Sequence, residues 1–247
     1  MNNDAMWWWW LTCLGQTSGS DEPSLAELAA PFEQNHKMHT NYVQSCRDEL
    51  THRGIDLSRI IDEKRYQYCI ANRGGDKLGH KGTYTQFYEK HLAHMRYNPN
   101  LKFLEIGVWQ GWSLAVWSLY FPFATHIVGA DVYLSPWYAN KRVLKSLGAF
   151  PNANVRVLEM DSTNQTSVDQ TIPMYEYFDI VIDDGCHHTP CILNTARNMW
   201  PLLKRGGLLF VEDNWKSKVK IALLTNYTYV DGYTHDGAGG VYMLRKP

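Results

Sequence analysis

The sequence predicts an α/β protein with a doubly wound, mostly parallel sheet, an antiparallel C-terminal hairpin and an N-terminal helical extension. Three observations carry this. Apolar strand-like runs alternate with helix-like segments from Leu101 to Val211, the strands are apolar on both faces, and the tail holds two strand-like runs with no helix between them. Leu101 to Val108 reads as a buried strand after the Asn98-Pro99-Asn100 turn, and Ser113 to Tyr120 as the helix that follows it. His126 to Asp131 is the second strand, Trp137 to Leu147 the second helix, and Val155 to Met160 and Phe178 to Asp183 are further strands. The next helix has Thr189 as N-cap and Pro190 at its first position, with Ile192, Leu193, Ala196, Trp200 and Leu203 on one face and Gly206-Gly207 after its end. Leu208 to Val211 is the last parallel strand. The runs between Tyr227 and Arg245 are broken at Asp236-Gly237 and Gly239-Gly240, too close for a crossover, so they pair as a hairpin.

Ahead of this core, Thr83 to Met95 reads as a helix and residues 21–75 as a polar, mostly helical cap; the main domain covers 76–247. Residues 1–20 contain Trp7 to Trp10 in an apolar run of ten, too short for a transmembrane helix, and no basic residue precedes Lys37 as a secretory signal would require. This terminus is expected to be mobile, packing or pairing copies in a homo-oligomer, with peripheral membrane attachment as the alternative. The expected location is the cytoplasm. The chain has 247 residues and a net charge of −1, which excludes a nucleic-acid surface built on bulk charge and leaves small molecules as the expected partners. Its five cysteines, with no Cys-x-x-Cys pair, indicate neither a disulfide framework nor a zinc ribbon, and so a reducing compartment.

Two groups of residues fall at the carboxyl edge of the sheet. In the first, Leu104-Glu105-Ile106-Gly107 runs into a glycine turn ending at Gly111, and Asp131 closes the second strand, where a carboxylate accepts the ribose hydroxyls of an adenosine cofactor. The glycine spacing is not G-x-G-x-x-G, and Glu105 would repel a pyrophosphate, so a nicotinamide dinucleotide is disfavoured. An adenosine with an amino-acid tail fits better: S-adenosyl-L-methionine, its ammonium toward Glu105, its chain over Gly107 and Gly111, its ribose on Asp131 and its adenine amino group near Asp161 and Ser162. In the second group, Asp183-Asp184-Gly185-Cys186-His187-His188 and Glu212-Asp213-Asn214 end neighbouring strands. Carboxylates converging there repel unless a cation lies among them, and an oxygen-rich set suits Mg²⁺ or Mn²⁺ better than zinc. His187 is placed to act as a general base.

From about Asp76 onward the chain resembles class I S-adenosylmethionine-dependent methyltransferases, which are Rossmann-like. Within them it is similar to the metal-dependent macrolide-sugar O-methyltransferases of the mycinamicin and macrocin type. The matching residues are Asp76-Lys77, His80, Tyr84 and Tyr88, then Leu104-Glu105-Ile106-Gly107, Tyr120-Phe121-Pro122, Asp179 to Gly185 with His187, and Gly206-Gly207 ahead of Glu212-Asp213. The resemblance implies a transferase acting on a hydroxyl of a sugar or glycosylated small molecule, with metal ligands at Asp184, Glu212 and Asp213 and the base at His187. Cys186 stands where that family has serine. Asn214 after Asp213 also resembles the catechol-type O-methyltransferases, which would place the ligands on Asp184, Asp213 and Asn214. A nicotinamide-dependent reductase and a non-catalytic binding module are the remaining alternatives.

Overall fold

The computed structural model describes residues 22–33, 83–151, 155–174, 177–218, 220–221, 229–235 and 239–247. Trp7 to Trp10, Asp76, Lys77 and His80 lie outside them, as do most of the segment read as a cap and three of the five cysteines. Seven strands form one sheet: β1 (Lys102–Ile106), β2 (His126–Asp131), β3 (Val155–Glu159), β4 (Phe178–Asp183), β5 (Leu203–Glu212), β6 (Tyr229–His235) and β7 (Gly239–Arg245). Their order is β3-β2-β1-β4-β5-β7-β6. The first five are parallel and β7 runs antiparallel to both β5 and β6, as the sequence predicts. The order reverses between β1 and β4, and in an open α/β sheet the crevice at such a switch point, beyond the carboxyl ends of the strands, is where ligands bind.

Six α-helices are described: α1 (Leu25–Glu33), α2 (Thr83–Leu92), α3 (Trp112–Tyr120), α4 (Ser135–Ser146), α5 (Gln165–Thr171) and α6 (Thr189–Met199). Successive strand residues point to opposite faces, and here they enter two separate cores. Phe103, Ile127, Ile180 and Phe210 face α1, α2 and α3; Leu104, Val128, Val181 and Leu209 face α5 and α6. That two-sided burial is why the strands are apolar throughout rather than alternating. Within α1, Leu25, Ala29 and Phe32 share one buried face in the first core, and Phe32 meets Trp112 of α3 edge to face at 6.4 Å. This stretch of the expected cap is therefore integral to the sheet's helical layer.

Five local readings are corrected. The first residue of α6 is Thr189 and His188 is its N-cap; the Thr189 hydroxyl instead accepts a hydrogen bond from Asn214 at 3.2 Å. That helix ends at Met199, and a 3-10 turn over Trp200–Leu202 leads directly into β5, which starts at Leu203 rather than Leu208. Gly206-Gly207 reads as a terminator, but Gly206 at φ +75° makes a bulge inside the strand: Phe178 pairs with Leu203 and Ile180 with Leu208. Helix α5 has no apolar stripe to reveal it. Its signal is the N-cap Asn164, whose side chain accepts from the amides of Thr166 and Ser167. Finally, Cys186 and Cys191 are joined as a disulfide with Cα atoms 6.3 Å apart, against the expectation from cysteine spacing. The turn into α6 brings the two residues together.

Candidate active site

The tips of β1 and β4 touch at Gly107. Its φ is +90°, and a Cβ there would lie 2.1 Å from the Asp184 carbonyl oxygen, so only glycine fits. The Gly107 amide donates to Ala130 O at 2.9 Å and the Asp184 amide to Ile106 O at 2.9 Å, extending the parallel ladder to the crevice. Gly111 starts α3 at φ +78° with its α-carbon against the Trp137 ring, which a Cβ would approach to 2.5 Å. Between them Trp109 takes φ +51°, and its side chain is 47% exposed.

Each acid on this side has a local structural partner. Glu105 is fully buried beneath the turn, and its Oε1 accepts from the Trp117 indole N–H at 3.1 Å. Asp131 accepts the Trp109 amide on Oδ2 at 2.8 Å and the Tyr133 amide on Oδ1 at 3.1 Å. Asp161 accepts both the amide and the hydroxyl of Thr163 on Oδ1, at 2.9 and 2.7 Å. Ser162 is buried, its hydroxyl 2.8 Å from that of Thr195 and its carbonyl accepting from Asn198, which fastens the end of β3 to α6. Around Asp131, Trp109, Val132 and Tyr133 present exposed apolar surface.

On the other side of the switch point, Asp184, His187 and Asp213 each offer a ligand atom, and these atoms all lie within 4.8 Å of one another. Parallel pairing of β4 with β5 sets Asp183 opposite Val211, so the residues just past both strands reach the same place. His187 and Asp213 adopt φ +53° and +59°. Non-glycine residues in that region cost of order 1–3 kcal/mol each, and such residues cluster at functional sites. Asp183 points inward: burial first, and then the neighbouring Asp184 charge, push its carboxyl up to about 7, while the Gly185 amide acts in the opposite direction.

Glu212 is fully buried and stands apart from the three grouped side chains; its Oε1 accepts from the Tyr88 hydroxyl at 2.6 Å. Burial, and then Glu212, raise the Tyr88 phenol well above its ordinary range, with Asp184 and Glu105 adding to the effect, so this hydroxyl stays protonated and donates. Asp213 accepts on Oδ1 from the Tyr84 hydroxyl at 2.9 Å. Asn214 caps the 3-10 turn Trp215–Ser217: its Oδ1 accepts the Ser217 amide at 3.1 Å, and its Nδ2 donates to His187 O at 2.8 Å. His188 is exposed beside His187 and makes no capping bond with its side chain.

Tyr84, Tyr88 and Trp117 thus hold three of the acids, a role that reading the sequence does not assign to them. Spacing of four residues puts Tyr84 and Tyr88 on one helix face, but no local pattern tells which acids they meet.

Residues 104–214 match the family model described as a methyltransferase domain. The mycinamicin VI 2''-O-methyltransferase of Micromonospora griseorubida is 30% identical over 146 residues, covering 56% of this chain and 33% of that protein. A tetracenomycin rhamnosyl 3'-O-methyltransferase of Streptomyces olivaceus is 30% identical over 174 residues, covering 67% of this chain and 38% of that protein. The chain therefore spans little more than a third of the length of these relatives. Among solved structures, MycE methyltransferase from mycinamycin biosynthesis, in complex with Mg, S-adenosylhomocysteine and mycinamycin VI, superposes with a TM-score of 0.57 at 20% identity, covering 92% of this chain and 56% of MycE. That likeness establishes the shared fold.

Proposed function

We propose that the protein is an S-adenosyl-L-methionine-dependent O-methyltransferase that uses a divalent ion, Mg²⁺ or Mn²⁺, and methylates a sugar hydroxyl of a glycosylated small molecule. The observation that carries this reading is the convergence of Asp184, His187 and Asp213 within 4.8 Å at the switch point of a methyltransferase domain. The donor chemistry fits. Two carboxylates give the oxygen ligands that Mg²⁺ prefers, with the imidazole beside them as base. The sugar-acting relatives support the acceptor class. Asp184, Asp213 and Glu212 are assigned to the metal; Glu212 is not one of the three grouped side chains, and its choice over Asn214 rests on the resemblance to the sugar-type enzymes. Glu105, Gly107, Gly111, Asp131, Asp161 and Ser162 are assigned to the cofactor, and the exposed rings of Trp109 and Tyr133 supply an apolar rim for a purine.

When bound, S-adenosylmethionine supplies an electrophilic methyl group and the divalent ion lowers the pKa of the acceptor hydroxyl. Asp184 and Asp213 fix the position of the acceptor's hydroxyls relative to the crevice, the main requirement of an in-line displacement. His187 takes the hydroxyl proton as the oxygen–carbon bond forms and the sulfur–carbon bond breaks, leaving a methyl ether and S-adenosylhomocysteine. Calorimetric titration of S-adenosylhomocysteine with and without Mg²⁺, followed by a mass-shift screen of glycosides and catechols, tests the proposal. Binding with a gain of 14 mass units on a glycoside is expected, and a chain that binds no S-adenosylhomocysteine would refute it.

A further inference from the structure

Two hydroxyls from one helix meet two successive acids at one strand tip. Tyr84 and Tyr88 of α2 are both fully buried, and they donate to Asp213 and Glu212 respectively. The two contacts differ in what they hold. Glu212 is the last residue of β5, fixed by its register against Val241. Asp213 has left the ladder at φ +59°, and its backbone is fastened by its amide, which donates to Gly240 O at 2.8 Å. Gly240 in turn sits tightly against β6: a Cβ on it would lie 2.4 Å from Tyr233 O. The Asp213 carboxylate is oriented by a residue from the far end of the chain, the Tyr84 hydroxyl. The Tyr84 ring packs edge to face on Tyr233 at 6.4 Å, so α2 and the hairpin close on Asp213 from two directions.

Resting on the metal reading above, we propose that Tyr84 is a positioning residue of the metal site, its hydroxyl fixing one Asp213 oxygen so that the carboxylate is aimed before the ion arrives. Groups that hydrogen-bond a metal-ligating side chain set its orientation, and losing one typically lowers metal affinity by roughly 10- to 100-fold. Tyr84 itself touches neither ion nor acceptor. Its ring and its hydroxyl have separable duties, the ring packing against the hairpin and the hydroxyl aiming the acid.

The test is a Mn²⁺ titration of the full chain, read by electron paramagnetic resonance of free Mn²⁺, with neither cofactor nor acceptor present. The parent is expected to bind and Asp184→Asn to lose most of that affinity. Tyr84→Phe keeps the ring and is expected to weaken Mn²⁺ binding roughly 10- to 100-fold while shifting Tm by no more than about 4 °C. In an Asp213→Asn background the same change should add nothing, since the two residues act as one unit. Tyr233→Leu removes the ring partner and keeps the hydroxyl; it should lower Tm and leave Mn²⁺ affinity near the parent's. A parent that does not bind Mn²⁺, or an Asp184→Asn variant that binds as the parent does, overturns the metal reading and this inference with it. With those two controls as expected, the positioning role alone is overturned by parent-like affinity in Tyr84→Phe, by an additive loss in the Asp213→Asn background, or by affinity that follows Tm across Tyr84→Phe and Tyr233→Leu.

Discussion

The proposed cofactor side and the proposed metal side of the crevice hold their acids in different ways. At the tips of β2 and β3, Asp131 and Asp161 accept from backbone amides of adjoining turns: Tyr133, Thr163 and, across one strand, Trp109. At the tip of β5, Glu212 and Asp213 take hydroxyls from Tyr88 and Tyr84, 124 and 129 positions earlier in the chain. The Tyr133 and Thr163 contacts form as soon as each strand and its turn form, and the Trp109 contact once β1 pairs with β2. The second arrangement requires the sheet, the hairpin and α2 to be assembled. Backbone amides thus hold the carboxylates assigned to the cofactor, whereas the proposed chemistry rests on side chains that only tertiary packing brings together.

The largest expected effect breaks the two sides apart. Asp184→Ala, or chelation by EDTA, should abolish methyl transfer measured by product mass, while S-adenosylhomocysteine affinity by calorimetry stays near the parent value. Loss of cofactor binding in the same variant would mean that the two sides are one unit, joined through the Gly107 contact with the Asp184 carbonyl.

Next in size is His187→Ala, expected to slow turnover by roughly 10²–10⁴-fold, the usual contribution of a general base. His188→Ala should be mild, because that side chain is exposed and caps nothing. An exchange of the two effects would move the proton acceptor by one residue and separate it from the three-residue group.

Asp131→Ala examines the cofactor side alone. Removing one charged hydrogen-bonding group costs about 1.5–3 kcal/mol, or on the order of 10- to 150-fold in S-adenosylhomocysteine affinity. Mn²⁺ affinity should not change. If it does, the locally held acids and the remotely held ones are energetically coupled, and the contrast between the two sides fails.

The same contrast explains what could be read from the sequence. The bounds of β2 and β4 and the antiparallel tail follow from apolar runs and glycine breaks, signals contained within a few residues. Helix α5 escapes because a seven-residue polar helix buries only Val168, leaving its asparagine cap as the sole cue. The start of β5 escapes because Gly206-Gly207 ends most elements, and only tertiary pairing, of Leu203 with Phe178 and of both glycines with Lys246, shows that the strand continues through the bulge. Asp184 and Asp213 could be placed at neighbouring tips from strand order alone. The hydroxyls that hold Asp213 and Glu212 could not, since nothing near Tyr84 or Tyr88 in the chain says which strand tip they reach.

The smallest expected effect concerns the other end of α2, where Asp231 of β6 accepts from Lys90 Nζ at 2.5 Å and lies 2.8 Å from His91 Nε2. The Lys90 hydrogen bond is the main cause that lowers the Asp231 carboxyl below its ordinary range; burial opposes it, and the Gly232 amide and His91 add to it. A depressed folded-state pKa means that the stabilisation is fully present above the unfolded value of about 3.9 and fades as pH falls through the lower folded value. Lys90 is 66% exposed and Asp231 30%, so solvent screens the pair and its contribution should be about 0.2–1 kcal/mol. Asp231→Asn should therefore lower Tm by no more than about 4 °C at pH 7, with the difference from the parent closing as pH drops below about 4 and shrinking in high salt. Because α2 is also seated by Phe87, Tyr88 and Leu92 in the first core, losing this exposed pair should leave Tyr84 in place and Mn²⁺ affinity unchanged. A drop in Mn²⁺ affinity comparable to that of Tyr84→Phe would show that the helix is held by its surface charges rather than its buried face, and that the metal side depends on contacts still more distant than the tyrosines.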